Sequence, residues 1–177
     1  MPKMTREDAT LLLIDFQQRL MPAIDSGAER VANAARLLVS ARKLGIPRLF
    51  TEQNPRGLGP TLPELAPLND PCFAKMTFDA TQDPLIGSAL KDAEEVVVVG
   101  SETHVCVLQT VQSLLAHRHP VYVVADAVGS RTAANYAAGL ARMQAMGAEI
   151  VTTEMVIFEW LGSAESPHFK ELIALIK

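Results

Sequence analysis

The sequence predicts a three-layer α/β/α sandwich around a mainly parallel, Rossmann-like sheet of about six strands, and three observations carry this expectation. Short apolar runs rich in β-branched residues alternate with segments of helical period, the signature of β–α–β units. One of these runs, Val96–Val99, is four consecutive valines, which suits a strand buried on both faces as in a parallel sheet. Two others, Leu11 to Asp15 and Val121 to Asp126, end in an acid, at the strand edge where open α/β sheets bind ligands.

The elements follow in order. Residues 10–15 read as a first buried strand, with Asp15 either facing a ligand or capping the next turn. Ser26-Gly27-Ala28-Glu29 has capping-box spacing and opens a helix with Val31, Ala35, Leu38 and Ala41 on its apolar face and Gly45 as its stop. A second strand covers Arg48 to Glu52. Residues 53–71 carry Pro55, Pro60, Pro63, Pro67 and Pro71 with Gly57 and Gly59, which excludes continuous helix or central strand and predicts a stiff loop, either a pocket wall or a plain connection. Lys75 then sits among apolar residues, where an ammonium either snorkels to water or meets an anion. A turn from Phe78 to Pro84 and a short helix over residues 85–91 lead into the valine strand.

At Gly100 the pattern changes. Val105, Leu108, Val111 and Leu115 fall at helical spacing, with Thr103 or His104 available as cap, so Cys106 stands near a helix N-terminus. Such a place favours the thiolate, although a lone cysteine is equally a small packing residue. Residues 120–126 form the next strand. Ser130 is the expected cap of a helix bearing Ala133, Ala137, Leu140 and Met143 and stopping at Gly147; Glu149 to Val151 closes the sheet. A brief helix capped by Thr152 or Thr153 runs through Trp160 to Gly162, and Ser166-Pro167 opens a terminal helix with Phe169, Leu172, Ile173 and Ile176.

A chain of 177 residues, 49% hydrophobic and 20% charged, suits one domain over residues 1–177. Its net charge of -4 gives no footing for nucleic acid, its apolar runs are too short to span a bilayer, and Met1 to Arg6 has no signal-peptide core. A cytoplasmic location is expected, with Cys72 and Cys106 as free thiols. The chain lacks the G-x-G-x-x-G, G-x-x-x-x-G-K-[ST] and G-x-S-x-G motifs, and no Cys/His spacing fits a metal. A carboxylate, a lysine and a cysteine remain as the groups with chemistry.

The order Leu12-Leu13-Ile14-Asp15-Phe16-Gln17, then Lys75, then Gly100-Ser101-Glu102-Thr103-His104-Val105-Cys106-Val107 resembles the isochorismatase-like cysteine hydrolase superfamily over nearly the whole chain. The stretch Thr51 to Gly59, Val124-Ala125-Asp126, Ser130-Arg131 and Pro167 to Lys170 resemble its isochorismatase-domain-containing branch. That resemblance implies a catalytic Asp15–Lys75–Cys106 triad in which Cys106 attacks, Asp15 moves the proton and Lys75 lowers the thiol pKa. It also implies a cis peptide at Ser101–Glu102, an oxyanion hole from the N–H groups of Glu102 and Cys106, substrate contacts from Phe16, Glu102 and His104, and a homodimer or larger homo-oligomer. Asp126 and Arg131 are read as braces for the turn into the next helix. Nicotinamidases of the superfamily carry a D-x-H metal site after the second strand; Glu52-Gln53-Asn54 stands there instead, so no metal and no cofactor are expected. The expected activity is metal-independent hydrolysis of a small amide, carbamoyl or related C–N substrate. The alternatives are vinyl-ether hydrolysis of an isochorismate type and a non-catalytic interaction role on the same scaffold.

Overall fold

The structure is a computed structural model and describes residues 3–177, so Met1 and Pro2 of the expected leaderless N-terminus lie outside the described residues. Six parallel strands, β1 (Ala9–Ile14), β2 (Arg48–Gln53), β3 (Cys72–Lys75), β4 (Glu95–Ser101), β5 (Val121–Gly129) and β6 (Glu149–Val151), form one sheet in the order β3-β2-β1-β4-β5-β6. Helices α1 (Gly27–Leu44), α2 (Pro55–Leu58), α3 (Pro84–Leu90), α4 (Leu108–Ala116), α5 (Ala133–Ala145), α6 (Thr153–Leu161) and α7 (Phe169–Ile173) connect and cover it.

The period-two alternation of strand side chains sorts the core into two layers. Leu11, Leu13, Val97, Val99, Tyr122 and Val124 pack with Leu37 and Leu38 of α1 and with Val156, Ile157 and Trp160 of α6. Leu12, Ile14, Val96, Val98, Val121 and Val123 pack on the other face with Ile86, Leu90, Val111, Leu114 and Met143 from α3, α4 and α5. Because β4 lies between β1 and β5 and is covered on both faces, all seven of its residues are buried, which is why its sequence is nearly continuous valine.

Several local expectations are corrected by the tertiary fold. The sequence pattern does not predict the edge strand β3: four residues after a proline-rich stretch carry too little pattern, and pairing of Phe50 to Gln53 with Cys72 to Lys75 creates the strand. The proline stretch itself contains α2 and a 3-10 turn at Pro63–Leu65. The capping box does not form, because Ser26 is left-handed (φ 54°) and its side chain makes no cap bond. The buried face of α1 is Ala34, Leu37, Leu38 and Ala41, with Val31 and Ala35 at its margin; Gly45 ends it in the left-handed region, as expected. Thr132, not Ser130, caps α5 by accepting from the Asn135 N–H. Asp126 does not end a strand, since a bulge between Val98 and Gly100 lets β5 run on to Gly129.

Candidate active site

The strand order reverses between β1 and β4, and in open α/β sheets the C-terminal ends of the strands flanking such a reversal are where ligands bind. Register places the expected residues around that reversal. Ile14 pairs with Thr51 on one side and with Gly100 on the other, while Gln53 pairs with Lys75. Asp15 leaves β1 at φ 57°, a left-handed conformation that Asp tolerates better than most residues, and donates its N–H to the Thr51 carbonyl.

The Lys75 ammonium lies 2.8 Å from Asp15 Oδ2, and both side chains are 0% exposed. Thr51 Oγ1 donates to Asp15 Oδ1 at 2.7 Å. Lys75 Nζ also donates to Gln53 Oε1 at 2.7 Å and to the Thr77 carbonyl at 3.3 Å. Both snorkelling and isolation are therefore excluded: this ammonium is a buried cation with an acceptor for each of its three N–H bonds.

Cys106 is 5% exposed. Beyond Gly100, where φ is 152° and an added Cβ would lie only 2.5 Å from the Ile14 carbonyl oxygen, the Ser101–Glu102 peptide is cis. The chain then makes a π-helical turn over Thr103–Val107, with the Val107 N–H donating to the Glu102 carbonyl, before α4 begins. Cys106 thus sits inside the π turn rather than in the first turn of an α-helix, and neither Thr103 nor His104 makes a capping bond. At Gly139, α5 presses on this turn; a Cβ there would lie 3.0 Å from the Thr103 carbonyl oxygen.

The thiol's state corrects the expectation of a lowered pKa. Burial and the charge of Asp15 push Cys106 up to about 12, against the opposing field of Lys75. Lys75 is already matched by Asp15, so its charge does not offset desolvation of the sulfur. The resting thiol is protonated.

The remaining expected residues take the following places. Phe16 is buried in the core layer with α1, a packing residue. The Glu102 carboxylate is taken by Arg131 Nε at 2.5 Å, and His104 Nδ1 lies 3.0 Å from Ser130 Oγ. Arg131 and Ser130 therefore tie the loop after β5 to the turn holding Cys106, rather than bracing α5. Asp126 braces α6 instead, accepting from Thr153 N–H and Oγ1. Sequence reasoning passed over Thr51, Gln53 and Asp79. Asp79 links the segment after Lys75 to α4 by accepting from Ser113 Oγ at 2.6 Å. Only the pairing of β2 with β3 could single out Gln53. Among the described residues, no group of three or more His, Cys, Asp or Glu is gathered as a metal site.

Fold and site together define a doubly wound α/β protein with a cysteine, a carboxylate and a lysine meeting at the switch point. The chain belongs to the isochorismatase family, whose isochorismatase domain matches residues 9–155. It is 39% identical over 176 residues to isochorismatase domain-containing protein 2A of Mus musculus, across 97% of this chain and 84% of the mouse protein. The structure of MAR1 ribonuclease from Caenorhabditis elegans matches with a TM-score of 0.93 and 36% identity over 98% of this chain and 92% of that one. YcaC from Pseudomonas aeruginosa, solved with hexane-2,5-diol and covalent acrylamide, matches with a TM-score of 0.92 and 26% identity over 98% and 91%.

Proposed function

We propose that this protein is a metal-independent cysteine hydrolase that cleaves a small amide, carbamoyl or related C–N bond through a covalent Cys106 intermediate. The observation that carries this reading is the fully buried Asp15–Lys75 ion pair whose charges act on the buried Cys106 thiol. A buried ion pair beside a protonated thiol contributes little net stability, but it is suited to proton transfer.

In the proposed reaction Asp15 takes the thiol proton as sulfur attacks the carbonyl carbon, and Lys75 stabilises the sulfur's developing negative charge. The N–H groups of Glu102 and Cys106 receive the oxyanion. Protonated Asp15 then gives its proton to the departing nitrogen. A water, deprotonated by Asp15, attacks the thioester or thiocarbamate, and the thiol regains its proton. Nucleophile, base and compensating charge are all supplied by these side chains, so the reading calls on no cofactor. The covalent acrylamide in the Pseudomonas aeruginosa neighbour supports a nucleophilic site on this scaffold.

Incubation with a panel of small amides, ureas and carbamoyl compounds tests the proposal, with peptide mass mapping of trapped Cys106. Turnover is expected to vanish in Cys106→Ser. Turnover that survives this change, or none across the panel, sinks the reading. Pyruvate release from isochorismate would move it to vinyl-ether chemistry, and Cys106-dependent RNA cleavage to the activity for which the Caenorhabditis elegans neighbour is named.

The same reading places the protein in the cytoplasm, where Cys72 and Cys106 stay reduced. No helix among the described residues is long and apolar enough to cross a membrane. It also includes a homodimer or larger assembly, supported by exposed Met76 and Phe78 beyond β3 and exposed Met155 and Phe158 on α6. A monomer in light scattering would refute that assembly.

A further inference from the structure

We propose that Gln53 is a positioning residue for Lys75, its side-chain oxygen holding the ammonium beside Cys106 while Asp15 carries the proton taken from the thiol. The inference rests on the cysteine-hydrolase reading and adds to it a requirement that the ion pair by itself does not meet. In the resting site Lys75 is held by the Asp15 charge at 2.8 Å. Once Asp15 is protonated that charge is gone, just when the new thiolate needs a fixed cation.

Gln53 Oε1 is a second acceptor, 2.7 Å from Lys75 Nζ, and its hold does not change with the protonation of Asp15. The amide is oriented by its own donor, since Gln53 Nε2 donates to the Met76 carbonyl at 2.9 Å and so turns the oxygen toward the ammonium. Its backbone is fixed as well. The Gln53 N–H donates to Gln17 Oε1 at 2.8 Å, and Gln17 Nε2 donates to the Gln53 carbonyl at 3.0 Å and to the Gly59 carbonyl at 2.7 Å. Gln17 is fully buried two residues beyond Asp15. The Asp15 segment and the Lys75 strand are thus joined by a neutral clamp that persists when the ion pair is lost.

Neutrality matters as much as reach. A carboxylate at position 53 would still accept from Lys75, but it would put a second anion on one buried ammonium and oppose ionisation of the sulfur. The geometry therefore calls for an amide rather than any acceptor.

The test reads Cys106 directly, so it needs no substrate: alkylation by iodoacetamide at pH 7.5, followed by peptide mass mapping to separate Cys106 from Cys72. Lys75→Met is the reference. Gln53→Met, similar in size but without an acceptor, is expected to slow Cys106 alkylation about tenfold, the factor carried by one pKa unit, with thermal midpoint and circular dichroism retained. Gln53→Glu, which keeps an acceptor but adds charge, is expected to slow it at least as much. Wild-type rates in either folded variant, with Lys75→Met slow, overturn the role of Gln53 and leave the hydrolase reading standing. A wild-type rate in Lys75→Met overturns the charge role of Lys75, and the proposal falls with it. Should Gln53→Met not fold, Gln53→Glu decides by the same criterion.

Discussion

Two sets of basic–acidic pairs lie at opposite ends of the same edge of the sheet, and they do different work. At the N-terminal end of β2, Arg42 and Arg48 both reach Asp70, at 2.9 and 2.7 Å, tying α1 and β2 to the end of the proline-rich loop. Both arginines stay partly exposed, and water remains a competing partner. At the C-terminal end, Lys75 and Asp15 meet with no exposure at all, beside a buried thiol. The first arrangement is a fastener that screening weakens. The second carries a desolvation cost that packing alone does not explain, and the proposed hydrolase reading gives it a chemical use.

Breaking each pair should therefore give unlike results. Lys75→Met is expected to cost about 3–5 kcal/mol in urea denaturation, because it strands a buried carboxylate. It should also abolish turnover. Adding Asp15→Asn should recover part of the stability and none of the activity; full recovery of turnover would contradict a chemical role for the pair. Gly100→Ala should cost about 1–3 kcal/mol, because its Cβ would stand 2.5 Å from the Ile14 carbonyl oxygen at the entry to the cysteine turn. Gly139→Ala is milder, with a contact of 3.0 Å, and should move the Thr103 turn by only tenths of an ångström. Its expected signature is about a tenfold loss in kcat with near-normal thermal stability, since small misplacements of reacting groups are costly in rate.

At the other end of the edge, Asp70→Asn should change stability by about 1 kcal/mol and leave kcat and KM unaltered. Burial raises the Asp70 pKa, but hydrogen bonds from Arg48 and Arg42 outweigh it and hold the carboxyl below its ordinary 3.8. A depressed folded pKa makes the contribution complete above that ordinary value and lost as pH falls through the folded one. The stability gap between wild type and Asp70→Asn should accordingly close in urea titrations below about pH 4. Cys106 has the opposite sign. Its thiol is raised from 9.0 to about 12, so above pH 9 the unfolded chain ionises first and stability declines. Cys106→Ser should flatten part of that alkaline decline, as read by urea titrations above pH 9.

The peripheral fastener could not be read from the sequence, because Arg42, Arg48 and Asp70 meet only through the packing of α1 against the loop. The candidate site was far more legible. Asp15 and Cys106 follow strands whose apolar character is written in consecutive residues, and Gly100 marks the turn between strand and cysteine. Lys75 stood out as a charge among apolar neighbours, yet its strand did not, because β3 owes its extension to pairing with β2. Ser130 offered capping chemistry to α5 but became buried beside His104, leaving Thr132 to cap.

Local pattern and strand polarity were enough to determine the alternation of strands and helices, the doubly buried valine strand and the residue types available for catalysis. Those properties depend on neighbours a few residues apart. Strand order, the partners of Arg131 and Asp126, the clamp of Gln17 and Gln53 around Lys75 and the protonated state of Cys106 were decided by the tertiary structure. Each depends on contacts between distant segments or on the withdrawal of water. Desolvation of the sulfur reversed the inference from charge type, since the same lysine that favours a thiolate is here already paired with Asp15.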